Sequence, residues 1–323
     1  MSNFIQLVKN EQIKLYVRKA TWVMFAILAL IAILGAVIVR FIDDGSLQEY
    51  GDDWREELQE ENQQITQQME EANSDEMEFS EAMNPATLER NNYHLENDIK
   101  PQGYDAWKYL YENTFLASVI SLFTIIVAAG IIANEFKWGT IKLLLIRPAS
   151  RLKILASKYI SILVFALTLL LFLIVVSWTV GAILFGVDGL SSNAVILQLD
   201  GTYEQIDLFK ETIIAYGFKM VNLVMMATFA FMISTIFRSS GMAIGLAIFL
   251  MFAGNGVVLF VSQYDWAKYI LFANTDLSQY TGGSEPAIEG MTMAFSIIVL
   301  LVYYCIFLAA SWWAFTKRDV AGQ

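Results

Sequence analysis

Six basic side chains gather in the segment ANEFKWGTIKLLLIRPASRLKILASKY, Ala133 to Tyr159, which lies between two long apolar runs. They are Lys137, Lys142, Arg147, Arg151, Lys153 and Lys158. One acid, Glu135, accompanies them. The ordinary explanation of such a segment is a basic loop that holds the topology of a membrane protein against anionic lipid. On this explanation the basic side chains of the segment make electrostatic contacts with lipid headgroups.

Residues for most catalytic chemistry are missing from the sequence. It contains no GxxxxGK[ST], so the chain binds no nucleotide through a P-loop. The lone histidine is His94, the lone cysteine is Cys305, and no HExxH or Cys/His cluster occurs. We predict that the chain is not an enzyme, holds no metal or cofactor and has no nucleic-acid partner. If it moves a substrate uphill, the energy must come from a partner protein.

Two polar residues, Lys219 and Asn222, stand inside the fourth apolar run. A lysine at the centre of a span costs roughly 2.5–3.5 kcal/mol on insertion scales. Lys219 follows the start of the run, Ile213, by six residues, which is about 9 Å along a helix. It either extends its amine to the nearer interface or lines a polar interior with Asn222, where the two could belong to a translocation path.

The elements that must position these residues are membrane spans. Hydrophobic residues make up 56% of the 323 residues and charged residues only 16%, so the sequence predicts an all-α polytopic membrane protein with six transmembrane helices. The apolar runs are Thr21–Phe41, Phe115–Ala133, Tyr159–Phe185, Ile213–Phe237, Gly241–Ser262 and Met291–Phe315. The predicted domains are a leading helix at 1–20, the first span at 21–42, an acidic loop at 43–108, and spans 2–6 at 109–323.

Charge predicts the orientation. With both termini placed in the cytoplasm, the inner segments hold 13 basic residues against three acids, as the positive-inside rule requires. The loop 43–108 would then lie outside. It holds 19 acids and four bases and so accounts for the net charge of −11. We expect it to form a solvated helical hairpin or a partly disordered arm.

Two further segments are expected to lie at the membrane surface. Residues 2–19 place Phe4, Leu7 and Leu15 near the helical period, although Glu11 interrupts the row. This pattern favours an amphipathic interfacial helix. Between the fifth and sixth spans, a semi-apolar stretch followed by a turn-rich one predicts a short amphipathic or re-entrant helix on the outer face.

Residue order makes the basic loop more specific than its charge does. Gly139 permits a change of direction, Thr140 can cap a short helix over 141–146, and Pro148 ends that helix. The order E-x-x-x-G-T, a leucine-rich stretch, P-x-x-R and a lysine opening the third span resembles the permeases of ABC-2 type transporters. The matching residues are Glu135, Gly139, Thr140, Leu143, Leu144, Pro148, Arg151 and Lys158. The acidic loop 43–108 departs from the small members of that family.

The resemblance implies that residues 135–150 form a coupling helix, which docks into a groove of a separate cytoplasmic ABC ATPase. ATP and magnesium would bind that partner. A second permease chain, identical or different, would complete an exporter in the bacterial cytoplasmic membrane, in contact with membrane lipids. Arg147 and Arg151 would meet acids of the ATPase, and Glu135 would bond a helix end or a basic residue of the leading helix. The alternative is a non-transporting scaffold or sensor that binds through its acidic outer loop.

Overall fold

A computed structural model describes residues 4–41, 50–71, 84–141, 149–187, 189, 192–198, 201–281, 286 and 288–317. Six helical segments in this part of the chain are long and apolar enough to span a membrane, as the sequence predicts. They are α2 (Lys19–Phe41), the pair α5 (Ala106–Glu112) and α6 (Ala117–Lys137) joined by a 3-10 turn (Asn113–Leu116), α7 (Arg151–Phe185), α8 (Leu208–Phe237), α9 (Ser240–Val261) and α11 (Met293–Lys317). The remaining helices are α1 (Phe4–Tyr16), α3 (Trp54–Glu71), α4 (Asn84–Glu96) and the single turn α10 (Leu271–Asn274).

The chain divides into two compact units. The first contains Met1–Ala32, Asn113–Val176 and Ile214–Gln323, and the second contains Ile33–Glu112 and Ser177–Ile213. The described residues predicted for ATPase coupling and for a translocation path lie in the first unit, and the described part of the acidic loop lies in the second.

The core of the first unit lies along α6. Ile125, Ala128 and Ile132, spaced three and four residues apart, are fully buried among residues of α7 and α8. Ser234 of α8 joins two turns of α6, because its hydroxyl donates to Ala129 O at 2.6 Å and accepts from Ala133 N at 3.3 Å. Small residues and hydroxyls of this kind let membrane helices approach closely. The helix that ends at the basic loop is therefore firmly packed.

The segment between the fifth and sixth spans differs from the predicted single short helix. It consists of two 3-10 turns, Asp265–Tyr269 and Leu277–Tyr280, on either side of α10. The buried side chain of Asn274 explains the interruption, since its amide donates to Lys268 O and Ile270 O, both at 2.8 Å. Phe272 packs so closely on Gly254 that a Cβ there would come within 2.4 Å of the ring.

The second unit contains a helical hairpin, one of the two structures expected for the acidic loop. Helices α3 and α4 pack together around Leu58 and Ile65, and the Asn91 amide donates to Asn62 Oδ1 at 3.0 Å. Whether this hairpin lies outside the cell stays a prediction.

The expectation of a purely α-helical chain is wrong in one detail. Strands β1 (Asn193–Leu197) and β2 (Tyr203–Asp207) form an antiparallel pair, with Val195 opposite Gln205. The turn between them includes Gly201, whose φ of 82° favours glycine. Each strand has only five residues, and segments this short are not recognisable in a sequence dominated by long apolar spans.

Candidate functional site

Four charged side chains of the first unit form a cluster, referred to below as the ionic cluster: Glu11, Lys14, Glu135 and Lys158. Lys158 is its centre, with Nζ 2.8 Å from Glu11 Oε2 and 3.0 Å from Glu135 Oε1. Lys14 Nζ lies 2.9 Å from Glu11 Oε1 and 3.3 Å from Glu135 Oε1. Lys158 is only 1% exposed, and Glu11 is 7% exposed. Two positive and two negative charges therefore neutralise one another at a site whose centre, Lys158, is buried and whose edge, Lys14, is 42% exposed.

Three helices supply the cluster. Glu11 and Lys14 are three residues apart on α1 and so share one face of it. Glu135 lies in the last turn of α6, and Lys158 is the eighth residue of α7. Glu135 and Lys158 come from consecutive described helices, and Glu11 and Lys14 come from a helix more than 120 residues before Glu135.

Helix α1 is held against α7 by more than charge. The Gln12 amide donates to Ser161 O at 2.8 Å, and the Ser161 hydroxyl donates to Val8 O at 3.4 Å. Leu7 and Leu15 are buried on the same face of α1 as Glu11. The leading helix is thus a packed part of the first unit.

Ion pairing decides the protonation of the α1 groups. Burial alone would raise the pKa of Glu11, but Lys158 and Lys14 outweigh it and hold that pKa below its ordinary value. Burial would lower the pKa of Lys14, while Glu11 and Glu135 raise it above its ordinary value. Both residues are therefore charged at neutral pH.

A tight turn fixes the end of α6 beside the cluster. Trp138 N donates to Asn134 O at 2.9 Å and Gly139 N to Phe136 O at 3.1 Å. Gly139 has a φ of 71°, which confirms that glycine changes the chain direction here. The Thr140 hydroxyl donates to the Glu135 carboxylate. Thr140 thereby adds a neutral hydrogen bond to the ionic cluster.

The structure brings together some of the predicted loop residues. Glu135, Gly139, Thr140 and Lys158 lie in or beside the ionic cluster, and the expected pairing of Glu135 with a basic residue of the leading helix is confirmed by Lys14. Arg151 lies elsewhere, since its Nη1 donates to Thr316 O at 2.8 Å near the end of α11. Four predicted residues fall outside the described residues, and with them the proposed short helix: Leu143, Leu144, Arg147 and Pro148.

The other predicted pair, Lys219 and Asn222, lines a cavity of about 190 Å³ within the first unit. Ser121, Asn255 and Asp276 contribute further polar groups, and Phe218, Met226, Met251, Phe252 and Phe272 contribute apolar ones. Of the two alternatives for Lys219, the structure supports a polar interior shared with Asn222. No carboxylate of the described residues lies within 4.0 Å of the Lys219 amine.

Sequence reasoning missed Glu11 and Lys14 as site residues. Glu11 was recognised only as an interruption in the apolar row of α1. A usable signal was present, because Glu11 is four residues from both Leu7 and Leu15 and so belongs to the buried face of the helix. An acid on that face requires a buried cation.

The chain is similar to two proteins of Bacillus subtilis (strain 168). It is 41% identical to "Uncharacterized protein YhcI" over 320 residues, and this alignment covers 98% of this chain and 99% of the relative. It is 32% identical to "Uncharacterized membrane protein YdbK" over 214 residues, and this alignment covers 66% of this chain and 82% of the relative. The second relative and the six apolar helices identify a multi-pass membrane protein. Residues 82–321 match the family described as "Protein of unknown function (DUF2705)", and the chain belongs to that family.

Proposed function

We propose that this chain is the permease subunit of an ABC exporter of the ABC-2 type, driven by a separate cytoplasmic ATPase that docks on residues 135–151. The ATPase would bind ATP and magnesium, and a second permease chain would complete the transporter in the bacterial cytoplasmic membrane. Glu135, Gly139, Thr140 and Lys158 match the loop pattern of that family, and both termini would be cytoplasmic.

The ionic cluster is the observation that carries the proposal. Glu135 is at one end of the loop and Lys158 follows its other end, and both pair with side chains of α1. A displacement of the loop would therefore act on α1, α6 and α7 together. Buried charge pairs resist partial separation, because a charge without its partner is strongly unfavourable away from water. Such a connection suits the transmission of a movement from an ATPase into the spans.

Stimulation of the partner ATPase tests this proposal. The chain would be co-purified with an ATPase encoded beside it, and ATP turnover would be measured with and without the permease. Glu135→Gln removes the charge and keeps a hydrogen-bond acceptor, and Glu289→Gln removes an exposed acid of the same unit. We expect Glu135→Gln to reduce stimulation about tenfold, the scale of a coupling free energy of about 1–2 kcal/mol. Glu289→Gln should leave it unchanged. Equal stimulation by the two variants, or failure of any ATPase to co-purify, contradicts the proposal.

One observation favours the alternative function, a non-transporting scaffold or sensor. The acidic hairpin forms a compact unit with the β-strands, in which the Tyr203 hydroxyl donates to Ala86 O at 2.7 Å. Such a unit could bind a cationic partner. Deleting residues 52–98 separates the two functions, since an exporter keeps its basal ATPase coupling and a scaffold loses its binding.

A further inference from the structure

A second cavity in the first unit lies beside the bend between α1 and α2, and its volume is about 170 Å³. Its walls are mainly apolar and come from α1, α2, α6 and α9, including Leu15, Met24, Val127 and Ile244. Arg18 supplies a cation, and Thr21, Asn134 and Ser240 supply uncharged polar groups. Among the residues that the structure describes, no acid lines this cavity.

The bend that carries Arg18 is held by specific hydrogen bonds. The Thr21 hydroxyl donates to Leu15 O at 2.5 Å, and the Trp22 indole donates to Tyr16 O at 2.9 Å. These bonds satisfy carbonyls at the end of α1 that have no partner within the helix. They fix Arg18 at the cavity, while Val17 and Trp22 remain 77% and 62% exposed. Exposed apolar and indole groups beside an arginine are typical of a membrane interface.

Arg18 retains its charge for a ligand. Within the described residues no carboxylate lies within 4.0 Å of its guanidinium. Glu11 and Glu135 of the same unit pair with Lys14 and Lys158. A guanidinium binds phosphate oxygens well, since its planar donors match them in geometry and charge.

We propose that this cavity binds one anionic phospholipid, with its phosphate on Arg18 and the start of an acyl chain against Leu15, Met24, Val127 and Ile244. Charge complementarity favours an anionic headgroup, because the described lining contains a cation and no acid to receive an ammonium group. The apolar walls favour a lipid over a free anion. The bound lipid would hold α1 at its angle to the first span, next to the ionic cluster.

Lipid retention by the purified chain tests the site without any ATPase, so its failure is distinguishable from failure of the proposed function. The chain would be placed in bilayer nanodiscs of phosphatidylcholine with a minor fraction of phosphatidylglycerol, and retained lipids would be counted by native mass spectrometry. Arg18→Gln should lower phosphatidylglycerol retention about fivefold. Lys19→Gln removes the same charge from an exposed neighbour that does not line the cavity, and should change retention less than twofold.

Two further arms separate the possible sources of the effect. Ala20→Phe keeps Arg18 and fills the mouth of the cavity, and it should lower retention as Arg18→Gln does. Thermal stabilisation of the chain by phosphatidylglycerol should exceed stabilisation by inorganic phosphate at equal concentration. Equal losses in Arg18→Gln and Lys19→Gln would indicate diffuse surface charge and overturn the proposal. Full retention by Ala20→Phe, or equal stabilisation by phosphate, would overturn it as well.

Discussion

Two lysines among the spans of this protein have opposite surroundings. Lys158 is almost fully buried and pairs with two carboxylates at 2.8 and 3.0 Å. Lys219 is half-buried at a cavity of about 190 Å³, and no carboxylate of the described residues lies within 4.0 Å of its amine. The ion pairs of Lys158 hold helices together, whereas the amine of Lys219 is available to a ligand in the cavity.

The difference shows how one residue type serves two purposes in a membrane protein. A buried ammonium is tolerated only where opposite charges compensate for the loss of water. Lys158 meets that condition through α1 and α6, so its contribution is structural and mechanical. Lys219 instead lines a cavity together with polar groups of Asn222, Ser121 and Asp276. The Lys158 site should therefore be sensitive to loss of a partner, while the Lys219 site should not.

The largest expected effect is that of Lys158→Met, which leaves Glu11 and Glu135 close together without their central cation. Breaking a buried ion pair in this way costs about 3–5 kcal/mol. We expect that loss in the free energy of unfolding, measured by denaturant titration in detergent micelles. Lys153→Met on the exposed face of the same helix is the control and should change it by less than about 0.5 kcal/mol. Similar values for the two variants would mean that the ionic cluster does not stabilise the fold.

Acid should weaken the Lys158 site. The folded-state pKa of Glu11 lies below its ordinary value of 4.5. Its contribution to stability is therefore complete above pH 4.5 and is lost as the pH falls through the lower folded-state pKa. The protection of α1 amides, taken as the ratio of intrinsic to observed exchange rate at each pH, should fall over that range in the native chain. Glu11→Gln should make this protection less dependent on pH over the same range, and persistence of the full acid effect would assign it to another group.

The two sites also differ in how far they follow from sequence. The resemblance of the loop to ABC-2 type permeases singled out Glu135 and Lys158, and the residues that carry this resemblance lie close together in the sequence. The partners Glu11 and Lys14 come from a helix more than 120 residues earlier, and only the helical period of α1 indicates that Glu11 faces inward. Lys219 was harder still, since a lysine near a span end can extend to the interface or line a cavity at similar cost. Long-range packing decides between these outcomes, and a single sequence does not record it.

Long-range packing also limits how much of the fold can be predicted from the sequence. Six spans follow from composition, because about 20 apolar residues are enough to cross a hydrocarbon core. Gly241 and Gly245 are spaced as a pair of small residues that favours close helix packing, yet a Cβ at either position would meet nothing within 4 Å in this chain. The close approach occurs at Gly254, against Phe272. Which glycine is needed depends on what packs beside it.

A smaller effect is expected at the turn that positions Glu135. Gly139 has a φ of 71° and no atom within 4 Å of a Cβ placed there, so Gly139→Ala introduces backbone strain without a clash. That strain costs about 1–2 kcal/mol. Gly256→Ala is the matched control, since its site in α9 is equally open and its φ is not positive. Alanine there should stabilise the helix by about 0.5–1 kcal/mol. We therefore expect Gly139→Ala to lower the free energy of unfolding and Gly256→Ala to raise it. Changes of the same sign would show that a side chain does not strain the turn at Gly139.

The smallest effect is expected at Lys219, and it gives the most direct test of the comparison. Lys219→Gln removes a cation that has no carboxylate partner among the described residues, so the free energy of unfolding should change by no more than about 0.5 kcal/mol. Asn222→Asp performs the reverse experiment, because it places a carboxylate three residues away in the same cavity. A helical pair at that spacing contributes about 0.2–0.5 kcal/mol. The gain should disappear in the Lys219→Gln background. If Lys219→Gln instead lowers the free energy of unfolding by several kcal/mol, Lys219 stabilises the fold as Lys158 does. The cavity then does not contain an unpaired charge.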